Sequence, residues 1–247
     1  MKRTAIVVPC YNEARRFDPE SFIESARAQP TLSFLLVDDG STDDTFDVLS
    51  RAAERVPDQL SVMRLAINAG KAEAVRQGVL KAFQSCPERI GFWDADLATP
   101  LAQIEGFVHA LQQPNLQLVI GSRVRLLGRK VVRNGFRHYT GRVFATLAAL
   151  ALRLPVYDTQ CGAKLFRAND WFREIFSEPF ELGWSFDVEM LARLARIARR
   201  NGLLLEDLVV ELPLQQWTDA PGSKLRPSHI PRIAWEMAKL FAIARRP

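Results

Sequence analysis

The chain has 247 residues, of which 48% are hydrophobic, and its 33 lysine and arginine residues outnumber 28 aspartate and glutamate residues, giving a net charge of +5. A chain of this length can bury a sizeable core, and we expect one α/β domain followed by a C-terminal extension. The three cysteines are widely spaced, which argues against a disulfide framework or a zinc site and favours a reducing compartment. The positive balance indicates anionic partners without choosing between phosphates, lipid and nucleic acid.

Apolar segments near the N-terminus and in the middle of the chain are both short. Residues 5–9 are too few for a secretory signal and lead directly into a polar turn. The longest apolar run, residues 143–154, falls below the ~20 residues that span a bilayer. We therefore expect a protein that can lie on a membrane without crossing it.

The first half of the chain alternates strands with helices. Strands are predicted at residues 4–8, 32–37 and 60–65, where β-branched and other apolar residues cluster. Helices are predicted after Asp18, at residues 42–56, and from Lys71 through Phe83. This alternation predicts a mostly parallel central sheet with helices on both faces, in which ligands bind beyond the carboxyl ends of the strands.

Acidic residues follow three of the predicted strands, a fourth strand being expected at residues 90–93. They are Glu13, Asp38, Asp39, Asp94 and Asp96. Two acids at a strand end repel each other unless a cation lies between them, and Mg²⁺ is typically held by one or two carboxylates plus substrate phosphates. Asp94 and Asp96 are therefore predicted to bind a divalent metal, the alternative being a surface loop in which Asp96 and Thr99 cap the next helix.

The second half of the chain is basic. After a predicted helix at residues 100–112 and a strand at 116–120, arginine and lysine accumulate in a stretch, residues 106–157, that contains no carboxylate. Beside the amphipathic segment 139–154, these charges indicate a surface for anionic lipid head groups, or a solvated basic loop followed by a core helix. A nucleic-acid surface is disfavoured because interleaved aromatic residues and RNA-binding signatures are missing.

The remaining predicted elements follow the basic stretch. A turn at residues 158–162 leads into an apolar strand, and Ser185 is predicted to cap a helix that ends at Arg200, with Asp187 and Glu189 in its first turn. A strand is predicted at residues 203–214, a polar loop at 217–225 and an amphipathic helix at 231–245. That last helix can pack on the core, rest on a membrane, or do both.

Several short motifs occur in an order typical of one family. They are Val-Val-Pro-Cys-Tyr-Asn-Glu, Val-Asp-Asp-Gly-Ser-Thr-Asp, Asn-Ala-Gly-Lys, Asp-Ala-Asp, Gly-Ser-Arg and Asp-Thr-Gln-Cys-Gly-x-Lys-Leu-Phe. With them the chain resembles the family 2 glycosyltransferases of the Rossmann-like type A fold, especially dolichyl-phosphate β-glucosyltransferases and bacterial polyprenyl-phosphate counterparts. Later segments extend the resemblance to about residue 225, so we expect a catalytic domain over residues 1–225 and an amphipathic helical extension over 226–247.

The resemblance implies a nucleotide-sugar donor, with UDP-glucose favoured, and Mg²⁺ or Mn²⁺ bound by Asp94 and Asp96. A carboxylate can accept the uracil N–H, an aromatic ring can stack on the base, and Lys71 can neutralise a phosphate. The implied donor and cofactor residues are Pro9, Tyr11, Glu13, Asp38, Asp39, Lys71, Asp94, Ala95 and Asp96. Some mannosyl-transferring relatives have a glutamine where this chain has Ala98, so the resemblance supplies no third protein ligand, and water can take its place.

The resemblance also implies a polyprenyl monophosphate acceptor, which is ionised at neutral pH, so that inversion at the sugar needs little or no general base. It needs a cationic cradle that aligns the phosphate. Arg123, Arg137 and Lys224 are the implied cradle, while Asp158 and Asp187 are implied to orient sugar hydroxyls or a basic partner. Together with Asp94 and Asp96, these five residues form the implied catalytic set.

Many relatives carry a transmembrane helix, and none is predicted here. We expect peripheral association with the cytoplasmic face of an anionic membrane through residues 139–154, helped by the C-terminal helix. Two alternatives stay open, namely transfer from the same donor to a soluble acceptor and a sugar-nucleotide-binding protein without turnover. No nucleic-acid partner is expected, and the sequence leaves the sugar, the lipid length and the oligomeric state undetermined.

Overall fold

A seven-stranded sheet forms the centre of the molecule in the computed structural model, which describes residues 3–132, 135–152, 154–218 and 230–244. The strands are β1 (Thr4–Cys10), β2 (Leu32–Asp38), β3 (Leu60–Arg64), β4 (Arg89–Trp93), β5 (Leu118–Ser122), β6 (Lys130–Val132), β7 (Ala163–Arg167), β8 (Val209–Pro213) and β9 (Gln216–Thr218). The central order is β3-β2-β1-β4-β7-β5-β8, and β6 pairs with β9 in a separate small sheet. Neighbouring strands are parallel except at β7, which is antiparallel to β4 and β5, so the mostly parallel sheet is confirmed.

Helices cover both faces of this sheet. They are α1 (Pro19–Ala28), α2 (Thr45–Glu54), α3 (Lys71–Ala82), α4 (Ile104–Ala110), α5 (Gly135–Leu152), α6 (Asp170–Ser177), α7 (Phe186–Arg200) and α8 (Ile230–Ala244). Successive side chains of a strand point to opposite faces, so in β1 Ile6 and Val8 enter one core cluster while Ala5 and Val7 enter another. The first cluster contains residues of α1, α2 and α4, and the second contains residues of α3, α6 and α7.

The helix boundaries in the first half follow local capping. Asp18 caps α1 as predicted, because its side chain accepts a hydrogen bond from the N–H of Ser21. Helix α2, in contrast, begins at Thr45 rather than at residue 42. The N–H of Thr42 is donated to the Asn12 side chain at 3.0 Å, so this residue belongs to the loop.

Predictions for the second half were less accurate. The helix expected at residues 100–112 is a 3-10 turn, Leu101–Gln103, followed by the short α4, and the strand expected at 203–214 is a 3-10 turn, Leu205–Asp207, followed by β8. The predicted polar loop at 217–225 begins inside β9, and its remainder lies outside the described residues. Strands β6 and β9 were missed because each has only three residues and their pairing is long-range.

Helices α5, α7 and α8 share a third core cluster. It contains Phe144, Ala148, Val188, Ala192, Leu240 and Ile243, with others. Ser185 occupies the predicted N-cap position of α7, but its side chain does not cap the helix, because its hydroxyl instead donates to Glu236 of α8 at 2.6 Å. The buried Glu236 carboxylate also accepts the N–H of Ser185 at 3.0 Å, so α8 adds an acidic group to Asp187 and Glu189 at the start of α7. The C-terminal helix therefore packs on the core, while the domain boundary at residue 225 stays a prediction.

Helix α5 has both a packed and an exposed side. Phe144, Ala145 and Ala148 are buried, whereas Leu147 and Leu150 are 37% and 64% exposed. Nowhere in the described ranges is a helix both long and apolar enough to cross a membrane. The segment thus combines the core packing and the exposed apolar surface that the sequence left as alternatives.

Two helical glycines make a matched test of the packing. An added Cβ at Gly78 of α3 would lie 2.4 Å from Val7 Cγ1 and 2.9 Å from Val37 Cγ2, whereas at Gly106 of α4 the nearest atom would be Leu212 Cδ2 at 3.7 Å. Gly78→Ala should lower the free energy of unfolding by about 1–3 kcal/mol through overpacking. Gly106→Ala should raise it by about 0.5–1 kcal/mol because alanine favours helix. Urea unfolding measures both, and shifts of the same sign would contradict this packing.

Candidate active site

Hydrogen bonds tie together the loops that follow β1 and β2. The N–H of Asn12 donates to Ser41 Oγ at 3.0 Å, and Asn12 Oδ1 accepts the N–H of Thr42 at 3.0 Å. Asn12 has a φ of 53°, a left-handed conformation that asparagine tolerates better than most residues. The N–H of Glu13 donates to Thr45 Oγ1 at 2.8 Å. The polar strand ends therefore meet at one rim, as the sequence predicted.

The predicted base-binding residues line this rim. Pro9 lies in β1 and Tyr11 directly after it, and both are partly buried. Glu13 is buried and its Oε1 accepts from Arg16 at 2.6 Å. At the end of β2, Asp38 is fully buried and its Oδ2 lies 3.2 Å from Arg64 Nε.

Asp39 fixes the loop that precedes α3. Its Oδ1 accepts the N–H of Ala69 at 2.8 Å, and its Oδ2 accepts the N–H of Gly70 at 2.9 Å. Burial raises the pKa of Asp39, and repulsion from Asp38 adds to this rise, while the two backbone donors oppose it. Lys71 follows this loop directly as the first residue of α3, so the hydrogen bonds of Asp39 help to fix the position of its backbone.

The ammonium of Lys71 lies at the acidic centre of the rim. Its Nζ donates to Asp94 Oδ1 at 2.5 Å, with side chains that are 42% and 37% exposed. Burial alone lowers the pKa of Lys71, but attraction to Asp94, Asp187 and Asp96 outweighs it and raises the pKa above its ordinary value. Lys71 therefore provides a positive charge where the sequence predicts a metal.

Asp94 rests against the turn that leads into β7. Its N–H donates to the carbonyl of Gly162 at 3.1 Å. A Cβ at position 162 would lie 1.8 Å from Asp94 Oδ2, so only glycine leaves room for this carboxylate. Ala95, the next residue, is buried.

Asp96 organises the rest of the loop after β4. Its Oδ1 accepts the N–H of Ala98 at 3.1 Å, and Leu97 between them has a φ of 52°, which is strained for a branched side chain. Burial raises the pKa of Asp96, and repulsion from Asp94 and Glu13 raises it further. The alternative role as a helix cap is not supported, because neither the 3-10 turn Leu101–Gln103 nor α4 has a side-chain cap.

These residues fit a divalent cation. Asp94 and Glu13 each lie close enough to Asp96 to repel it, which favours a cation beside Asp96. Across the ranges that the structure describes, no group of three or more His, Cys, Asp or Glu side chains is placed to hold a metal. The protein therefore offers two carboxylates, a set that suits Mg²⁺ or Mn²⁺ only if donor phosphates and water complete it.

Arg123 and Asp158 form a buried bidentate ion pair. Arg123 Nε donates to Asp158 Oδ2 and Nη2 donates to Oδ1, each at 2.7 Å. The guanidinium also lies 5.5 Å from the centroid of a Trp217 ring. Glu211 of β8 positions the pair, since its carboxylate accepts the N–H groups of Tyr157 and Asp158 at 2.7 Å. Asp158 thus orients a basic partner, one of the roles that the resemblance left open.

Asp187 also has a basic partner. Lys164 in β7 is fully buried, and its Nζ donates to Asp187 Oδ1 at 2.5 Å and to the carbonyl of Cys161 at 2.6 Å. The Cys161 carbonyl immediately precedes Gly162, against which Asp94 rests. Sequence reasoning missed Lys164 and Glu211, although each is a charged residue inside a short apolar strand, which is the signal that could have found them.

The predicted phosphate cradle is only partly described. Arg123 is placed beside Trp217, and Arg137 lies in α5. The side chain of Arg137 and the whole of Lys224 lie outside the described residues.

Strand β9 connects the two sides of the site. The N–H of Thr218 donates to the carbonyl of Ala98, in the loop of Asp94 and Asp96, at 3.1 Å. Its neighbour Trp217 contacts Arg123. Strand β9 therefore contacts both the loop of the two aspartates and Arg123.

Comparison with known proteins decides the family. The profile of Glycosyl transferase family 2 matches residues 5–175. The chain belongs to this family. A human dolichyl-phosphate beta-glucosyltransferase is 32% identical over 241 residues, covering 92% of this chain and 70% of the human protein. A Trichomonas vaginalis protein of the same name is 30% identical over 250 residues, covering 96% of this chain and 70% of that protein.

Solved structures confirm the fold. Glucosyl-3-phosphoglycerate synthase of Mycobacterium tuberculosis superposes with a TM-score of 0.69 at 20% identity, covering 100% of this chain and 82% of that one. A complex of the same enzyme with Mn²⁺ and UDP-glucose gives a TM-score of 0.68 at 20% identity, covering 100% and 80%. At this identity the likeness extends to the fold alone. The protein is a family 2 glycosyltransferase with a type A fold, as the motifs predicted.

Because Lys164 and Asp187 form a buried pair, removing one member should destabilise the fold much more than removing both. Lys164→Met should lower the free energy of unfolding by about 3–5 kcal/mol, because it leaves Asp187 buried without its cation. Adding Asp187→Leu should recover most of that loss. Lys239→Met is the control, since Lys239 pairs with the partly exposed Glu181 at 3.2 Å and should cost only ~0–1 kcal/mol. Urea unfolding measures all three. A double variant no more stable than Lys164→Met would show that the unpaired Asp187 carboxylate is not the cause of the loss.

Proposed function

We propose that the protein transfers a hexose, most simply glucose from UDP-glucose, to a polyprenyl or dolichyl phosphate with inversion and with the aid of a divalent metal. The observation that carries the proposal is the rim at which Lys71 is bonded to Asp94 beside Asp96 and the Asp39 loop. Relatives named dolichyl-phosphate beta-glucosyltransferase, matched over most of the chain, support the acceptor and the sugar.

The nucleotide would bind across the loops after β1 and β2. A carboxylate can accept about four hydrogen bonds. Asp39 accepts two, from Ala69 and Gly70, and can therefore also accept the uracil N–H. Tyr11 would stack on the base, and Pro9, Glu13 and Asp38 would line the pocket around it. This assignment keeps Asp39 in both a structural and a recognition role.

The diphosphate would lie at Lys71 and the two aspartates. Asp94 and Asp96 would hold Mg²⁺ or Mn²⁺, which when bound stabilises the charge that develops on the leaving nucleotide. Lys71 supplies a further positive charge to a phosphate once Asp94 no longer holds it. The support for a metal comes from the carboxylates of this chain, because the structural relative that contains Mn²⁺ shares the fold alone.

The acceptor phosphate would approach the Arg123 side of the site. Because this phosphate is already ionised, the protein needs to align it rather than deprotonate it. Arg123, oriented by Asp158, would join Arg137 and Lys224 in the predicted cradle. Asp187 is held by Lys164, which supports a positioning role for it rather than that of a base.

A lipid acceptor requires contact with a membrane. We infer peripheral binding at the cytoplasmic face of an anionic bilayer, supported by the absence of carboxylates in residues 106–157 and by the exposed Leu147 and Leu150 of α5. Oligomeric state does not enter the proposal.

Transfer can be tested with labelled UDP-glucose, Mg²⁺ and a short polyprenyl phosphate dispersed in detergent. Butanol-extractable label is the expected result. Label on an added water-soluble acceptor instead would replace this function with the soluble-acceptor alternative. Nucleotide binding without transfer to either would leave a binding protein, and a panel of UDP and GDP sugars identifies the donor.

The metal role predicts a specific loss at Asp96. Asp96→Ala should lower transfer by about 100-fold or more, and should weaken Mn²⁺ binding in the presence of UDP, because one of two carboxylate ligands is removed. Asp47→Ala, at an exposed position of α2, is the control and should change neither. Mn²⁺ binding is followed by electron paramagnetic resonance and folding by urea unfolding. Wild-type turnover by Asp96→Ala in the presence of EDTA would exclude the role assigned to Asp96.

A further inference from the structure

A hydrogen-bonded turn between β5 and β6 exposes two leucines at its tip. Leu126 is 48% and Leu127 is 104% exposed. The carbonyl of Leu126 accepts the N–H of Arg129 at 3.1 Å, and Gly128 has a φ of 80°, as the third residue of a type II turn requires. Such positions usually hold Pro, Gly, Asn, Asp or Ser. The hydrogen-bonded turn thus keeps both leucine side chains exposed to solvent.

Cations flank this tip without any acid between them. Arg125, Arg129 and Lys130 are exposed, and no carboxylate occurs in residues 106–157. Apolar side chains at the acyl boundary with basic residues among the head groups are the arrangement that binds an anionic bilayer. A second copy of this chain is a poorer match, because it carries the same net charge of +5.

The turn lies beside the acceptor side of the site. It leads into β6, which pairs with β9 so that Val131 lies opposite Trp217. Trp217 contacts Arg123, and the N–H of Thr218 donates to the carbonyl of Ala98 in the loop of the two aspartates. A membrane bound at this turn would therefore lie next to the cation proposed to receive the lipid phosphate.

We propose that the turn of residues 126–129 inserts Leu126 and Leu127 into the head-group boundary of an anionic bilayer and so holds the acceptor side of the site against the membrane. The biological purpose rests on the proposed transfer to a lipid phosphate, but insertion itself is measured without any transfer. In this proposal the turn, rather than α5, makes the first contact with the membrane.

The test compares two exposed leucine pairs. Leu126→Ser with Leu127→Ser removes the proposed anchor, and Leu203→Ser with Leu204→Ser is the matched control, at residues that are 41% and 61% exposed in the loop after α7. In co-sedimentation with vesicles of phosphatidylcholine and phosphatidylglycerol, the first variant should partition at least about tenfold more weakly than wild type. The control should partition like wild type. Vesicles of phosphatidylcholine alone should bind both wild type and control poorly.

A second variant reports insertion directly. Leu127→Trp should gain a blue-shifted emission on anionic vesicles, relative to wild type, and lipids brominated near the head group should quench it. Unchanged emission, or equal vesicle binding by wild type and the Leu126/Leu127 variant, would overturn the proposal.

Transfer in detergent separates this proposal from the proposed function. The Leu126/Leu127 variant should glucosylate a short polyprenyl phosphate in detergent at the wild-type rate while binding anionic vesicles about tenfold more weakly. Absence of transfer by every protein, with vesicle binding intact, would overturn the enzyme function and leave the membrane-binding turn standing. Loss of detergent transfer in this variant alone would show that the turn serves the catalytic site and not the membrane.

Discussion

Carboxylates gathered at the carboxyl ends of parallel strands repel one another, and most of the rim of this sheet serves to offset that repulsion. Asp39 is held by two backbone N–H groups, and Asp94 by the ammonium of Lys71. Lys71 also attracts Asp96, but burial and the acidic neighbours of Asp96 outweigh this attraction and raise its pKa. The resulting excess of negative charge makes the rim suited to a divalent cation, which in turn would attract a diphosphate.

Buried ion pairs in the neighbouring elements keep this arrangement in place. Lys164 and Asp187 connect β7 to α7, and Glu211 of β8 holds the turn that carries Asp158 against Arg123. Desolvation makes such pairs poor sources of net stability, yet losing one member is costly. Their main effect is therefore to hold neighbouring groups in position. The Lys164–Asp187 pair positions the turn at Gly162, and Asp158 orients the Arg123 guanidinium.

The sequence predicted those features that depend on local pattern. Alternating strands and helices, the Asp18 cap and the buried faces of the first helices follow from residues close together in the chain. The rim was predictable because parallel strands share one carboxyl edge. Ser185 is the N-cap residue that the pattern predicted, but the partner of its hydroxyl could not be predicted because Glu236 is 51 positions away. Lys164 and Glu211 were missed for the same reason, as their partners come from other elements.

The contact between Gly162 and Asp94 has a consequence for the order in which the enzyme can form. Strand β7 lies between β4 and β5, although it follows both in the chain. A nascent chain that ends before Gly162 would contain Glu13, Asp39, Lys71 and both aspartates, yet it would lack the carbonyl that fixes Asp94 and the strand that joins the two halves of the sheet. The acidic residues of the rim are thus translated early, but they reach their final arrangement only after long-range pairing has closed the sheet.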